Sequence, residues 1–227
     1  MYQRAYASTA VGQFKQIVSS RVMRAAETLG RCDVVVPIGL MLLVDKANGG
    51  DATADELSKR FDLIDSESRD FIDFHFVGWR RASDTVPIEF SLDAFAQFRE
   101  ALRKAGVTRF GGNADLILVD AALHAKQVSL DFENAINVDL SDAVRRARFP
   151  SLGLFLQTLI DVAESGISDT DRPGSAVFAI SDRLGVTFGS RSLLAYFLDR
   201  WGAVIGAGTL ASVSIRRIGR RVSLRSF

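Results

Sequence analysis

Apolar residues recur at helical spacing over residues 10–29, where Phe14, Ile17, Val18, Val22, Ala25 and Leu29 share one stripe and Gly30 supplies a stop. The pattern then changes. CDVVVPIGLMLLVD, residues 32–45, is continuously apolar, the signature of a strand buried on both faces of a sheet, although Pro37 lacks an N–H and predicts a break or bulge there. KANGG is turn chemistry. Thr53 and Glu56 after it match a capping box opening a short helix that runs through Phe61. In DFIDFHFVGWRR, residues 70–81, Ile72, Phe74 and Phe76 form one face of a strand, leaving Phe71, Asp73, His75 and Val77 on the other.

Ser91 opens a helix whose Leu92, Phe95, Phe98 and Leu102 lie on one stripe, ended by Gly106. Residues 111–120 are a turn leading into a further apolar strand. Two alternating runs follow at 128–132 and 135–140, and Glu133-Asn134 between them predicts a hairpin. Ser141 is a candidate cap, Pro150 breaks the chain, and residues 152–164 read as a helix ended by Gly166. Residues 167–175 are polar with a Pro-Gly pair, and a strand and a helix follow. The end of the chain alternates through Val222, Leu224 and Phe227, as an edge strand or a tail ordered by a partner.

These elements predict an α/β fold, a three-layer sandwich with a mixed, partly parallel sheet flanked by helices. The expected organisation is a main domain over 1–166, a linker or loop at 167–175, and a C-terminal extension over 176–227 packed on the main domain.

Charge divides the chain sharply. Residues 1–199 hold all 27 acids against 22 bases, a net of −5, whereas 200–227 hold six arginines and no acid. A basic end on an acidic body implies an acidic partner: nucleic acid, a protein subunit, or the chain's own acidic surface. Arginines outnumber lysines 23 to five, which is also what a GC-rich bacterial genome produces. The lone Cys32 excludes an internal disulfide framework and fits a reducing cytoplasm. The first residues lack the apolar core of a signal peptide, and the longest uncharged run, 201–215, is shorter than the roughly 18–20 residues of a membrane span.

Several residues carry candidate chemistry. Asp73 and His75 share a strand face, so the carboxylate could orient the imidazole as a general base; a histidine simply satisfied inside the fold is the plainer reading. Trp79, Arg80 and Arg81 offer an aromatic and two guanidiniums suited to stacking or phosphate binding. Cys32 would be a nucleophile only with His75 or His124 beside it. The GxGxxA pattern at Gly206–Ala211 is no dinucleotide fingerprint, because only 16 residues follow it and none is acidic. No GxxxxGK phosphate loop is present.

Asp115 opens one strand, Asp131 and Glu133 sit on the next, and Lys126 precedes them. Over residues 111–134 this resembles the restriction-endonuclease-like nucleases, which hold Mg²⁺ between an Asp and a Glu-x-Lys on adjacent strands. The resemblance implies Asp115, Asp131 and Glu133 as metal ligands and Lys126 as charge stabiliser. It departs from that family where Glu133 stands in the lysine position and Lys126 lies five residues before Asp131, the pattern of an inactive relative.

The leading expectation is therefore a binding protein without a cofactor. Its basic end, with Arg216, Arg217, Arg220 and Arg221, would dock an acidic partner, with Trp79, Arg80 and Arg81 as a binding rim. The metal-dependent nuclease is the alternative, and a homo-oligomer is compatible with either.

Overall fold

In a computed structural model, the residues described are 5–8, 10–30, 32, 34–50, 52–67, 72–81, 88–107, 114–140, 152–153, 156, 213–214 and 219–227. Arg216, Arg217, the 167–175 linker and the elements expected between 157 and 212 lie outside them. The strands are β1 (Ala5–Ser8), β2 (Val34–Leu43), β3 (Asp73–Val77), β4 (Trp79–Arg80), β5 (Glu89–Phe90), β6 (Ala114–His124), β7 (Gln127–Asp139), β8 (Val213–Ser214) and β9 (Arg221–Ser223). The α-helices are α1 (Val11–Leu29), α2 (Ala52–Lys59), α3 (Phe61–Glu67) and α4 (Leu92–Lys104).

Seven strands form a mixed sheet in the order β1-β3-β2-β6-β7, with β8 and β9 both on the outer edge of β7, while β4 and β5 pair separately. β1, β3 and β2 run parallel and the rest pair antiparallel, which is the mixed, partly parallel α/β arrangement expected. Parallel neighbours need crossovers, supplied by α1 between β1 and β2 and by α2–α3 between β2 and β3.

The helices cover opposite faces. Ala54, Leu57, Phe61 and Ile64 of α2 and α3 pack with Met41, Leu43, Phe74, Phe76, Leu116 and Leu118. On the other face, Phe14, Val18 and Val22 of α1 and Phe95, Phe98 and Leu102 of α4 meet Ile38, Leu40, Val77, Ile117, Val119 and Phe132. Gly39 lies flat beneath Phe74, because an added Cβ would sit 2.5 Å from the ring.

Four local expectations change. Pro37 causes no break: its register with Asp120 on β6 is continuous, and the ladder with β3 begins only at Ile38, so the missing N–H has no β3 partner to lose. Thr53 is not a cap but a buried residue inside α2, and Phe61 begins a second helix rather than ending the first. Leu92 is exposed, leaving Phe95, Phe98 and Leu102 as the buried stripe of α4.

The hairpin falls at Ala125-Lys126, both at positive φ (48° and 65°), while β7 runs unbroken through Glu133 and Asn134. At those two residues β7 bulges. Two residues of β6, from Leu118 to Asp120, are spanned against five of β7, from Ile136 to Asp131. The bulge also inverts the facing of the strand. Leu130 and Phe132 point toward α1 and α4, but Val138 and Leu140 toward the α2–α3 face.

Candidate functional site: the basic C-terminal edge

The end of the chain is a built part of the domain. β9 pairs with β7 through Ser129↔Ser223, Leu130↔Val222 and Asp131↔Arg221, and Leu224 N–H donates to the Val128 carbonyl at 2.8 Å. Val222, Leu224 and Phe227 are buried, and the Phe227 ring lies 5.6 Å from Phe14 and 5.9 Å from Phe132 between centroids. Strand alternation that buries Val222 turns Arg221 and Ser223 the other way. The edge-strand expectation for this segment is therefore met, and its arginines are presented on ordered backbone.

Four basic side chains gather along this edge. Arg220 donates from Nη2 to the Lys104 carbonyl at 3.1 Å, at the carbonyl end of α4, where the helix dipole and the last-turn bases Arg103 and Lys104 already lie. On the other side, Lys15 Nζ of α1 donates to the Arg225 carbonyl at 3.1 Å. Arg220, Arg225 and Lys104 are exposed and Lys15 is half-buried. Of the acids nearby, Glu100 pairs with Arg103 at 2.8 Å and lies 3.9 Å from Lys104.

Arg221 has a different role. Its Nη2 donates to Asp131 Oδ2 at 2.7 Å, with the arginine side chain 62% exposed and the aspartate 5%. The hydrogen bond and charge of Asp131, with smaller contributions from Glu133 and Asp120, raise the guanidinium above its usual range. Asp131 also accepts from the Glu133 N–H at 3.1 Å through Oδ1. Asp120, which the sequence did not single out, is buried directly opposite Asp131 on β6. A carboxylate inside the apolar run LILVDAAL was the available signal, because a buried charge requires compensation.

The three acids of the nuclease alternative do not converge. Asp115 shares the face of Ile117, toward α1 and α4, whereas Asp131 lies opposite Leu130 and Phe132 and so points to the α2–α3 face. Asp131 also pairs with Asp120, five residues or about 17 Å along the strand from Asp115. Asp115 instead faces Asp139 across the ladder and accepts from Asn137 Nδ2 at 3.5 Å. Glu133 is half-buried, and Lys126 sits on the exposed hairpin tip. Among the described residues, no three His, Cys, Asp or Glu side chains cluster to hold a metal. The expected metal site is thus not assembled, and a guanidinium compensates Asp131.

Asp73 and His75 do share a face, and α1 closes it. Both are fully buried. His75 Nδ1 is 3.1 Å from Ser8 Oγ, its ring stacks on Tyr6 at 4.9 Å, and Phe14 meets it edge-on at 4.9 Å. Asp73 Oδ2 lies 3.3 Å from Arg21 Nε of α1. Burial lowers the His75 pKa to about 3, so the imidazole is neutral, and its Nε2 makes no hydrogen bond among the described residues. Cys32 precedes by eight residues Leu40, the β2 partner of His75, roughly 25 Å along the strand. Cys32 and His124 are exposed at the same end of the sheet, far from His75.

The strand exit divides its three side chains. Trp79 is buried and donates from Nε1 to the Leu43 carbonyl at 3.0 Å, so its ring presents no stacking face. Arg80 pairs with Glu89, and Arg81 lies over Phe61 at 5.2 Å and 3.9 Å from Asp62. They border the α2–α3 layer, away from β9. No helix among the described residues is long and apolar enough to cross a membrane. Comparison with known protein families, curated proteins and solved structures finds no match to this chain.

Proposed function

We propose that this chain is a binding protein that docks an acidic protein surface against its C-terminal edge. One observation carries the reading: Arg220 and Arg225 are exposed, yet held on a segment anchored by Val222, Leu224 and Phe227 and hydrogen-bonded to α4 and α1. Ordered backbone lowers the entropy lost when such charges engage a partner. Arg221 is exposed but already engaged by the buried Asp131, so the docking charges are Arg220, Arg225, Lys104 and Lys15, with Arg216 and Arg217 preceding them in sequence. A cytosolic setting accompanies this reading and rests on the single cysteine.

An anisotropy titration with labelled poly-glutamate and a labelled DNA duplex tests it. The expected result is poly-glutamate binding that Arg220→Gln/Arg225→Gln weakens at least tenfold. Equal affinity of wild type and variant would overturn the reading, and preference for the duplex would replace the protein partner with nucleic acid.

A further inference from the structure

We infer, on the reading of the basic edge as a docking surface, that the acidic partner binds there as an extended segment that adds a strand to the outer side of β9. The ladder defines that side. Leu224 N–H donates to the Val128 carbonyl, and Val222 stands opposite Leu130, so alternate backbone groups of β9 turn toward β7. Antiparallel pairing directs the groups between them the opposite way, which leaves the Arg221 N–H and carbonyl and the Ser223 N–H on the outer side. The Ser223 carbonyl accepts from the Ser226 and Phe227 N–H groups at 3.0 and 3.1 Å, so the strand ends there. Among the described residues, β9 pairs with β7 alone. Arg220, Arg221 and Arg225 are exposed and Ser223 is half-buried. An ordered strand that presents two donors and one acceptor along its outer side is a template for another strand.

Charge selects what can take that place. Arg220 donates to the Lys104 carbonyl and Lys15 to the Arg225 carbonyl, and among the described residues neither they nor Arg225 pair with a carboxylate. Arginines set against arginines across a ladder destabilise it, so this edge disfavours basic strands and its own copy and favours an acidic strand. The two faces of the edge differ as well. Asp131, opposite Asp120, already lies beside Arg221, so a further carboxylate on that face would meet its own sign. The opposite face, where Val222 packs with α1 and α4, has Arg220 at the end of α4 and Lys15 on α1. The matching segment therefore carries acids at alternate positions, all directed to the α1–α4 face, with uncharged residues between them. β1, the other outer edge of the sheet among the described residues, reads AYAS and offers no such charges.

Amide hydrogen exchange of the full chain, resolved by residue with nuclear magnetic resonance, tests this with an alternating glutamate–threonine octapeptide, since threonine favours the extended form. In the free protein the Arg221 and Ser223 amides should exchange rapidly and those of Val222 and Leu224 slowly. The expected result is that the bound peptide slows Arg221 and Ser223 at least tenfold. Two isomers of the peptide, N-methylated either at every glutamate or at every threonine, carry the same charge, but only one keeps the N–H groups directed at β9. That isomer should bind, and the other at least tenfold more weakly. Binding that leaves the Arg221 and Ser223 amides fast, isomers of equal affinity, or binding of poly-glutamate without binding of the octapeptide overturns the added strand and leaves the docking edge standing. If neither poly-glutamate nor the octapeptide binds, the reading of the edge fails as well.

Discussion

Arg221 and Asp131 stand directly opposite each other in the β9–β7 ladder, joined at 2.7 Å, and Asp131 in turn stands opposite Asp120 on β6. One guanidinium thus closes a row that otherwise places two buried carboxylates on adjacent strands. Like charges facing across a ladder destabilise it, and burial amplifies the effect. The basic residue that secures β9 to β7 is consequently distinct from Arg220 and Arg225, which flank it in sequence.

Arg221→Gln should destabilise the fold by about 1–2 kcal/mol, a range reduced because the arginine is largely exposed. Asp120→Asn should cost less, since it removes one of the two facing carboxylates while leaving both acceptor oxygens of Asp131 to Arg221 and the Glu133 N–H. Urea denaturation of both variants checks the order. The opposite ranking would show that the row is compensated elsewhere.

Phe227→Ala should cost about 3 kcal/mol or more, because the ring fills space between Phe14 and Phe132 and the site has little room to collapse. The shift in denaturation midpoint measures it. Removing residues 213–227 would take β8 and β9 as well, so that deletion reports unfolding and not lost binding.

His75 makes stability depend on pH with a definite sign. Its folded-state pKa is lowered to about 3 from 6.5, so the unfolded chain binds the extra proton first. The contribution is fully present above pH 6.5 and is lost as pH falls toward 3, at about 1.4 kcal/mol per pH unit. Urea unfolding of wild type and His75→Gln between pH 7 and 5, above the range where most carboxylates titrate, should show the steeper loss in wild type. Parallel pH profiles would mean that His75 titrates alike in the folded and unfolded chain, and that burial does not lower its pKa.

Much of the scaffold was legible because burial on both faces leaves an unambiguous trace. The apolar runs at Val34–Leu43 and from Ala114, and the stripes Phe14-Val18-Val22 and Phe95-Phe98-Leu102, each became the element that they imply. The hairpin was misplaced because Ala125 and Lys126 adopt positive φ without the Gly or Asn that normally signals it, while Glu133-Asn134 carries turn-like residues at a bulge. The shared face of Asp73 and His75 followed from period two, but what covers it did not. Ser8, Phe14 and Arg21 arrive from β1 and α1, more than 50 residues earlier. The charge asymmetry was plain in composition. That Arg221 is the one set opposite Asp131, while Arg220 and Arg225 are not, depends on the β9 register, which no local pattern specifies.

Gly78→Ala should be among the most damaging small substitutions. Gly78 has φ of 82°, and an added Cβ would approach Phe95 Cβ at 2.6 Å and Phe95 Cα at 2.8 Å. The strained backbone and the collision with the first turn of α4 add, so loss of soluble folded protein or a thermal midpoint lowered by many degrees is expected. A midpoint near that of wild type would show that β3 and α4 are less tightly joined than this contact implies.

The docking claim is tested most directly by the salt dependence of poly-glutamate binding, compared between wild type and Arg220→Gln/Arg225→Gln at matched ionic strengths. Binding through these exposed side chains predicts an affinity that falls steeply with salt in wild type and a visibly shallower slope in the variant. Identical slopes and affinities in the two proteins would contradict it.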